Sequence, residues 1–183
     1  MKLSMAYGRC CLFLLLSSVC AWTQVTLSAH VELGGKRGEH QSGNVVLWLS
    51  PVGSRADFLP SASQIPRLVQ KNKSFDPHVL VVPVGSVVEF PNRDPFFHNV
   101  FSLFEGKRFD LGLYEAGSTR EVRFDKAGIS YIFCNIHAEM SAVVIALESP
   151  YYGISNARGE VIISNVPAGR YNLHVWYLSL IHI

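Results

Sequence analysis

Short runs of β-branched and aromatic residues recur along almost the whole chain, with Gly, Pro and Asn between them. Such runs favour strands and the residues between them favour turns, a spacing that is typical of a β-sandwich or barrel. Only 56–64 has a pattern that suits one helical turn, and the prolines around it indicate a linker. We therefore expect an all-β fold, with strands at 25–31, 44–49, 67–71, 79–82, 86–90, 99–104, 119–124, 129–134, 142–147, 160–164 and 171–176.

Two of these segments predict how their strands are buried. Segment 142–147, Ala-Val-Val-Ile-Ala-Leu, is apolar on both faces, as a central strand is. Segment 119–124 alternates towards its end, which predicts a strand with one solvated face.

The N-terminus has the pattern of an export signal. Lys2 and Arg9 precede the apolar run 11–16, which is too short to span a bilayer, and small residues follow up to Ala21. We expect a signal peptide over 1–21, cleaved after Ala21 or, as a second candidate, after Thr23. The mature protein is then periplasmic or secreted, and no second apolar segment predicts a membrane span.

Cleavage of the signal peptide makes sulfur rare in the mature chain. Three of the four cysteines lie within it, so only Cys134 remains, and Met140 is the only methionine that remains. Cysteines of exported proteins normally form disulfides, so a solitary one calls for another explanation. It is either a buried inert thiol or a metal ligand.

The residues around Cys134 favour the metal ligand. His137 and Met140 follow at intervals of three, and His98 lies 36 residues upstream, next to Asn99. One thiolate, two imidazoles and one thioether are the ligand set of a blue-copper electron-transfer site. We predict Cys134 at the end of a strand, His137 and Met140 on the loop after it, and His98 at the start of another strand.

Two other chemistries use part of this set. Zinc binds Cys and His but takes thioether poorly, so it is a minor alternative. A Cys/His hydrolase is weaker still, because the spacing is tight and no orienting residue is signalled. Around the metal we expect Asn99 to hydrogen-bond the ligand loop and an apolar shell to exclude water, with Phe90, Phe96, Phe97, Phe101 and Phe133 as candidates.

Charge excludes one class of partner. Without Lys2 and Arg9, 14 of the 16 basic residues remain against 14 acidic ones, so the mature chain is nearly neutral. No basic stripe indicates nucleic-acid binding. The four other histidines before the C-terminal tail have no ligand-like neighbours and are interpreted as ordinary residues: His30, His40, His78 and His174.

Several motifs resemble those of the cupredoxins, and most of all the amicyanin and plastocyanin branch. They are Phe75-x-Pro77, Val82-x-Val84-Gly85-Ser86-x-Val88-x-Phe90-x-Asn92-x-Asp94, His98-Asn99-Val100 and Cys134-x-x-His137-x-x-Met140. The resemblance covers residues 65–148. It implies an eight-stranded Greek-key sandwich with one type 1 copper, which carries electrons between redox protein partners and is not an enzyme.

One departure from the resemblance concerns the ligand loop. Amicyanin-like loops usually have Pro after the second His, where this chain has Ala138 and Glu139. In such proteins that position lies at the solvent-facing ligand edge where they meet redox partners, so the resemblance does not identify the partner.

The segments on either side of 65–148 predict a second unit. Residues 156–171 resemble the end of carboxypeptidase-regulatory-like sandwiches, and 31–49 resemble their beginning. We expect the copper domain to be inserted into a small β-sandwich formed by 22–60 and 150–176, because long insertions in exposed loops are tolerated. Alternatively, both flanks are extra strands of the copper domain. Residues 177–183 resemble a translated adapter and are treated as a doubtful tail.

Two functions from different classes fit this sequence. The first is a one-electron carrier between redox partners. The second is a non-redox module, in which the site stores or senses copper or the flanking sandwich binds a protein or glycan.

Overall fold

The chain is described here from a computed structural model, which covers residues 24–33, 42–53, 65–103 and 105–178. The regular structure of these residues consists of strands alone, so the predicted all-β fold is confirmed. The predicted signal peptide, the 56–64 segment and 179–183 of the tail lie outside the described residues. None of the described residues belongs to a helix that could span a membrane.

The strands follow one another at short intervals along the chain. In order they are β1 Gln24–His30, β2 Val46–Pro51, β3 Val69–Lys71, β4 Ser74–Asp76, β5 Val79–Pro83, β6 Val87–Pro91, β7 His98–Ser102, β8 Phe109–Tyr114, β9 Thr119–Arg123, β10 Gly128–Cys134, β11 Ser141–Leu147, β12 Tyr152–Ile154, β13 Glu160–Pro167 and β14 Tyr171–Trp176.

Each predicted strand overlaps an observed one, but β4, β8 and β12 were not predicted. Two of them, β4 and β12, are only three residues long, too short for a pattern to repeat. Strand β8 contains Asp110 and Gly112, residue types that are depleted in strands, and Gly112 has a positive φ of 64°. This strand pairs across a register shift with β7, and a bulge of this kind interrupts periodicity.

The strands between residues 65 and 148 form a sandwich. One layer is the five-stranded sheet β5-β11-β10-β7-β8, and the facing strands are the pairs β6-β9 and β3-β4. The predicted central strand is confirmed, since β11 pairs with β5 on one side and with β10 on the other. Side chains of both layers share one core, which includes Phe90, Val100, Tyr114, Ile132 and Val144.

The strands outside this range pair with one another. Strand β1 pairs with β13, and β2 lies between β12 and β14. A separate core between these two small sheets contains Val45, Leu47, Leu49, Val161 and Ile163. Such pairing across residues 65–148 is what an inserted domain would produce, and the domain boundaries themselves stay a prediction.

A third core joins the two sandwiches. Val46, Trp48 and Trp176 of the sheet β12-β2-β14 pack against Val143 and Ile145 on the outer face of β11. Beyond this core a cavity of about 380 Å³ opens near Gly128 and Trp48. The part of the outer face that β5, β10 and β11 form is thus covered by apolar contacts.

Replacing Gly159 by Ala should destabilise the flanking sandwich strongly. Gly159 has a φ of +79°, and a Cβ there would clash with the carbonyl oxygen of Val31. That oxygen cannot move freely, because Val31 N donates to Gly159 O. We expect a loss of about 3 kcal/mol or more of unfolding free energy in a denaturant titration.

Gly117 provides the matched control for Gly159. Its φ is +78°, but a Cβ there meets nothing within 4 Å. Gly117→Ala therefore carries backbone strain alone, about 1–2 kcal/mol. Equal losses for the two variants would contradict the close approach at Gly159.

Candidate metal centre

Three of the four predicted ligands come together at one end of the sandwich. His98 Nδ1 lies 3.6 Å from Cys134 Sγ, and His137 Nδ1 lies 3.8 Å from the same sulfur. The donor atoms of the three residues all lie within 4.8 Å of one another, and they form the only such group of three His, Cys or acidic residues in the described part of the chain. Thiolate and imidazole donors at this separation can share one ion.

Strand ends hold these side chains where the sequence predicted them. Strand β10 ends at Cys134 and β7 begins at His98, and the two strands pair with Cys134 opposite Val100. A tight turn follows Cys134, closed by a hydrogen bond of 3.0 Å from Met140 N to His137 O. The loop is therefore anchored by hydrogen-bonded strands on both sides.

The ligands differ in their access to solvent. His98 is fully buried and Cys134 is buried, whereas His137 is partly exposed. Met140 is buried in the same core cluster as Cys134. His137 is thus the predicted ligand that is nearest to solvent.

Asp94 contacts a predicted ligand, and the sequence analysis did not assign it this contact. His98 Nε2 lies 2.9 Å from Asp94 Oδ2, and both side chains are buried. An ionised carboxylate only accepts hydrogen bonds, so the Nε2 of His98 carries the proton and Nδ1 is left to face Cys134. The spacing of four residues within the Asn92–His98 turn was the available signal, but a buried carboxylate cannot be told from a turn-forming Asp by sequence alone.

The environment of Asp94 keeps it ionised. Burial by itself raises the pKa of this carboxyl group. The hydrogen bonds that it accepts, first from the Lys73 backbone and then from His98, outweigh burial and hold the pKa below its usual value.

The side chain of Asn99 hydrogen-bonds Asp110, not the ligand loop as predicted. Its Nδ2 donates to Asp110 Oδ1 on β8 at 2.7 Å. Asp110 Oδ1 also accepts from Gly112 N at 2.9 Å, so Asn99 is tied to the bulge of β8. The Asn99 Oδ1 is buried and has no hydrogen-bond partner among the described residues.

The predicted apolar shell is only partly present. The Phe96 ring lies 5.3 Å from the His98 ring and 5.4 Å from the His137 ring, so it covers both imidazoles. Phe97, in contrast, is 52% exposed. Phe101 and Phe133 are paired on neighbouring strands, and because side chains alternate along a strand they point away from the face that carries Cys134.

A buried hydrogen bond behind the site involves Tyr114, which lies opposite His98 in the sheet. Burial raises the pKa of Tyr114, so its hydroxyl stays protonated and donates to Gln70 Oε1 at 2.7 Å. We expect Tyr114→Phe to lower the unfolding free energy of the apoprotein by about 1–3 kcal/mol, because the Gln70 oxygen loses its partner while buried.

A double variant separates this hydrogen bond from packing. In Tyr114→Phe/Gln70→Leu both polar partners are gone, so the second change should cost less than it does alone. Strict additivity in a denaturant titration would show that the two side chains are not coupled.

The other described histidines do not belong to this group. His174 is stacked on Trp48 and hydrogen-bonded to Ser50 Oγ at 2.8 Å, which is a structural role. His30 and His78 are exposed, and His40 lies outside the described residues.

No protein-family model and no curated protein sequence matches the chain. Solved structures do match. A purple cupredoxin from Nitrosopumilus maritimus is 22% identical, with a TM-score of 0.41, and the match covers 45% of this chain and 99% of that one. An amicyanin variant in the Cu(I) state is 18% identical, with a TM-score of 0.43, over 55% of this chain and 98% of that one.

A copper-containing nitrite reductase from Thermus scotoductus also matches. It is 26% identical over 55% of this chain, with a TM-score of 0.45, and the match spans only 26% of the reductase. The solved structures that match this chain thus include a purple cupredoxin, an amicyanin and a copper-containing nitrite reductase, each with a TM-score below 0.5.

Proposed function

We propose that this protein is an exported one-electron carrier that holds one type 1 copper ion with His98, Cys134, His137 and Met140. One observation carries the proposal: two imidazole Nδ1 atoms converge on the sulfur of the only cysteine that would remain after signal cleavage. A thiolate with two imidazoles and a thioether nearby is the donor set of copper electron-transfer sites.

The donor set fits copper better than zinc. Met140 is buried within the core that also contains Cys134, and its backbone hydrogen bond to His137 O keeps it on the ligand loop. Thioether is a poor ligand for zinc but a suitable one for copper(I). A methionine that is buried in the same core as the cysteine therefore favours copper.

The side chains of the site suit a redox role. Copper, when bound, supplies the one-electron chemistry. Cys134 is buried, and Phe96 covers both imidazole rings, so the thiolate is shielded from water. Asp94 fixes the orientation of His98, while strands on both sides hold the loop, which limits rearrangement of the ligands between oxidation states.

A redox partner protein is expected to approach at His137. Ile136, which directly precedes this ligand, is 47% exposed, and Phe97, which directly precedes His98, is 52% exposed. Glu139 adds an exposed charge. Exposed apolar residues rimmed by polar ones are typical of a transient protein contact. Export is proposed from the N-terminal signal pattern, which places the protein in the periplasm or outside the cell.

Reconstitution of the mature protein with copper(II) tests the proposal. We expect an intense visible band from sulfur-to-copper charge transfer and a reversible one-electron wave in voltammetry. A colourless product would overturn the copper–thiolate site. A coloured protein that is not reversibly reduced would favour storage or sensing of copper over electron transfer.

A further inference from the structure

The turn between β3 and β4 is bound to the metal centre although it contains no predicted ligand. Asn72 and Lys73 form this turn with φ angles of 57° and 54°. Their two backbone N–H groups donate to the same carboxylate, Asn72 N to Asp94 Oδ1 at 2.6 Å and Lys73 N to Asp94 Oδ2 at 3.0 Å. A left-handed pair of residues thus directs two adjacent N–H groups at one anion.

The carboxylate of Asp94 also contacts one of the predicted ligands, His98. Asp94 Oδ2, which accepts from Lys73 N, also lies 2.9 Å from His98 Nε2, and His98 Nδ1 lies 3.6 Å from Cys134 Sγ. Both oxygens of the carboxylate are therefore occupied by donors from the turn, and its rotation is fixed. The imidazole is fixed in turn, because its proton-bearing nitrogen has one acceptor in a fixed direction.

The same turn makes a second contact near the predicted ligands, through the side chain of Lys73. The Lys73 Nζ lies 5.8 Å from the centroid of the Phe96 ring, within the range of a cation–π interaction. Phe96 in turn lies against the rings of His98 and His137. The backbone and the side chain of Lys73 thus act on the ligands by two separate routes.

We propose that the Asn72–Lys73 turn positions the metal ligands and, through Asp94, sets the copper affinity and the reduction potential. The proposal rests on the copper site proposed above. Partners that orient a metal-binding histidine typically change metal affinity 10–100-fold when they are removed. Because this partner is itself held by the turn, a change that breaks the turn should have an effect of similar size.

Two substitutions at Asn72 separate the turn from its side chain. Asn72→Gly keeps the N–H group and the positive φ, and it should leave copper affinity unchanged. Asn72→Pro removes the N–H group and cannot adopt a φ of 57°, so it should weaken copper(II) binding by about 10-fold or more. Competition with a chelator of known affinity measures both.

A double-mutant cycle shows whether the turn acts through Asp94. In the Asp94→Ala background the carboxylate is gone, and Asn72→Pro should cause no further loss of copper affinity. The reduction potential of the bound copper gives a second readout, and a rise in it cannot be explained by loss of structure alone. Asp94→Asn removes a negative charge that favours copper(II), so the potential should rise, by about 59 mV if the affinity ratio of the two oxidation states changes tenfold.

The apoprotein gives a test that is independent of copper. In amide hydrogen exchange, the N–H groups of Asn72 and Lys73 should exchange at least about tenfold faster in Asp94→Ala than in the wild type. Nitrogen NMR should show the His98 proton on Nε2 in the wild type. Unchanged exchange, or a proton on Nδ1, would overturn the proposal even if Asn72→Pro failed to fold.

The outcomes distinguish this proposal from the proposed function. If wild-type protein does not form the copper–thiolate band, the proposed function fails whatever the apoprotein shows. If the band forms but Asn72→Pro folds and binds copper like Asn72→Gly, only the role of the turn fails. Equal additional losses from Asn72→Pro in both backgrounds would show that the turn does not act through Asp94.

Discussion

A Cys134→Ser variant incubated with copper(II) should be colourless, whereas the wild type should be intensely coloured. The band requires a thiolate bound to the metal, and Cys134 is the one cysteine within the described residues. Loss of this ligand removes the sulfur on which His98 and His137 converge, at 3.6 and 3.8 Å. Copper(II) affinity should also fall by about 100-fold or more, measured by chelator competition.

A control for Cys134→Ser must show that the fold is intact. Cys134 is buried, but serine is a small replacement, so the far-UV circular dichroism of the two apoproteins should agree. His30→Ala, at an exposed histidine on β1 of the flanking sandwich, should keep the full band. A band that persists in Cys134→Ser would mean that another group binds the metal, and the proposed site would be wrong.

Replacing Ile145 by Ala should destabilise both sandwiches together. Ile145 is 1% exposed, and its core contains Trp48 and Trp176 of the flanking unit as well as Val143 of its own sheet. Truncation of a buried isoleucine costs about 2–5 kcal/mol. Because this core belongs to both units, we expect one cooperative transition, shifted to lower denaturant concentration.

Two probes report separately on the two units. Fluorescence of Trp48 and Trp176 follows the flanking sandwich, and the visible band of the copper-loaded protein follows the metal site. The two transitions should coincide in the wild type and in Ile145→Ala. As a control, Leu113→Ala, at a side chain that is 60% exposed, should change stability by about 0.5 kcal/mol or less. A fluorescence transition that stays in place while the band shifts would show that the units unfold independently.

The fold could be predicted where the residues of a segment are sufficient by themselves to make it a strand. Strands β10 and β11 are apolar runs that end at turn-forming residues, so their positions followed from pattern alone. Strand β8 could not be predicted, because its polar and glycine residues are compatible with a strand only through pairing with β7 across a register shift. Pairing between distant segments is a property of the tertiary structure, and periodicity does not contain it.

The same holds for the site: its predicted ligands followed from local spacing, whereas contacts between distant segments did not. Rare sulfur residues and their spacing predicted His98, Cys134, His137 and Met140 as ligands, and the structure brings His98, Cys134 and His137 together. The role of Asp94 depends on a turn more than 20 residues earlier in the chain, with Asn72 at a sequence separation of 22. No local pattern reports such a contact. For the same reason the sequence could not show that Asn99 pairs with Asp110 rather than with the ligand loop.

The direction of strand β10 has a practical consequence for studying electron transfer. Strand β10 runs from Gly128 to Cys134, and seven residues of strand extend over roughly 20 Å. The cavity lined by Gly128 and Trp48 marks one end of this strand, and Cys134 marks the other. A chemical linker attached near the Gly128 end, for example at exposed Lys126, would fix the molecule to an electrode by the end away from the metal and leave His137 facing the solution. The loop between β9 and β10 thus gives the molecule a point at which it can be mounted in one orientation.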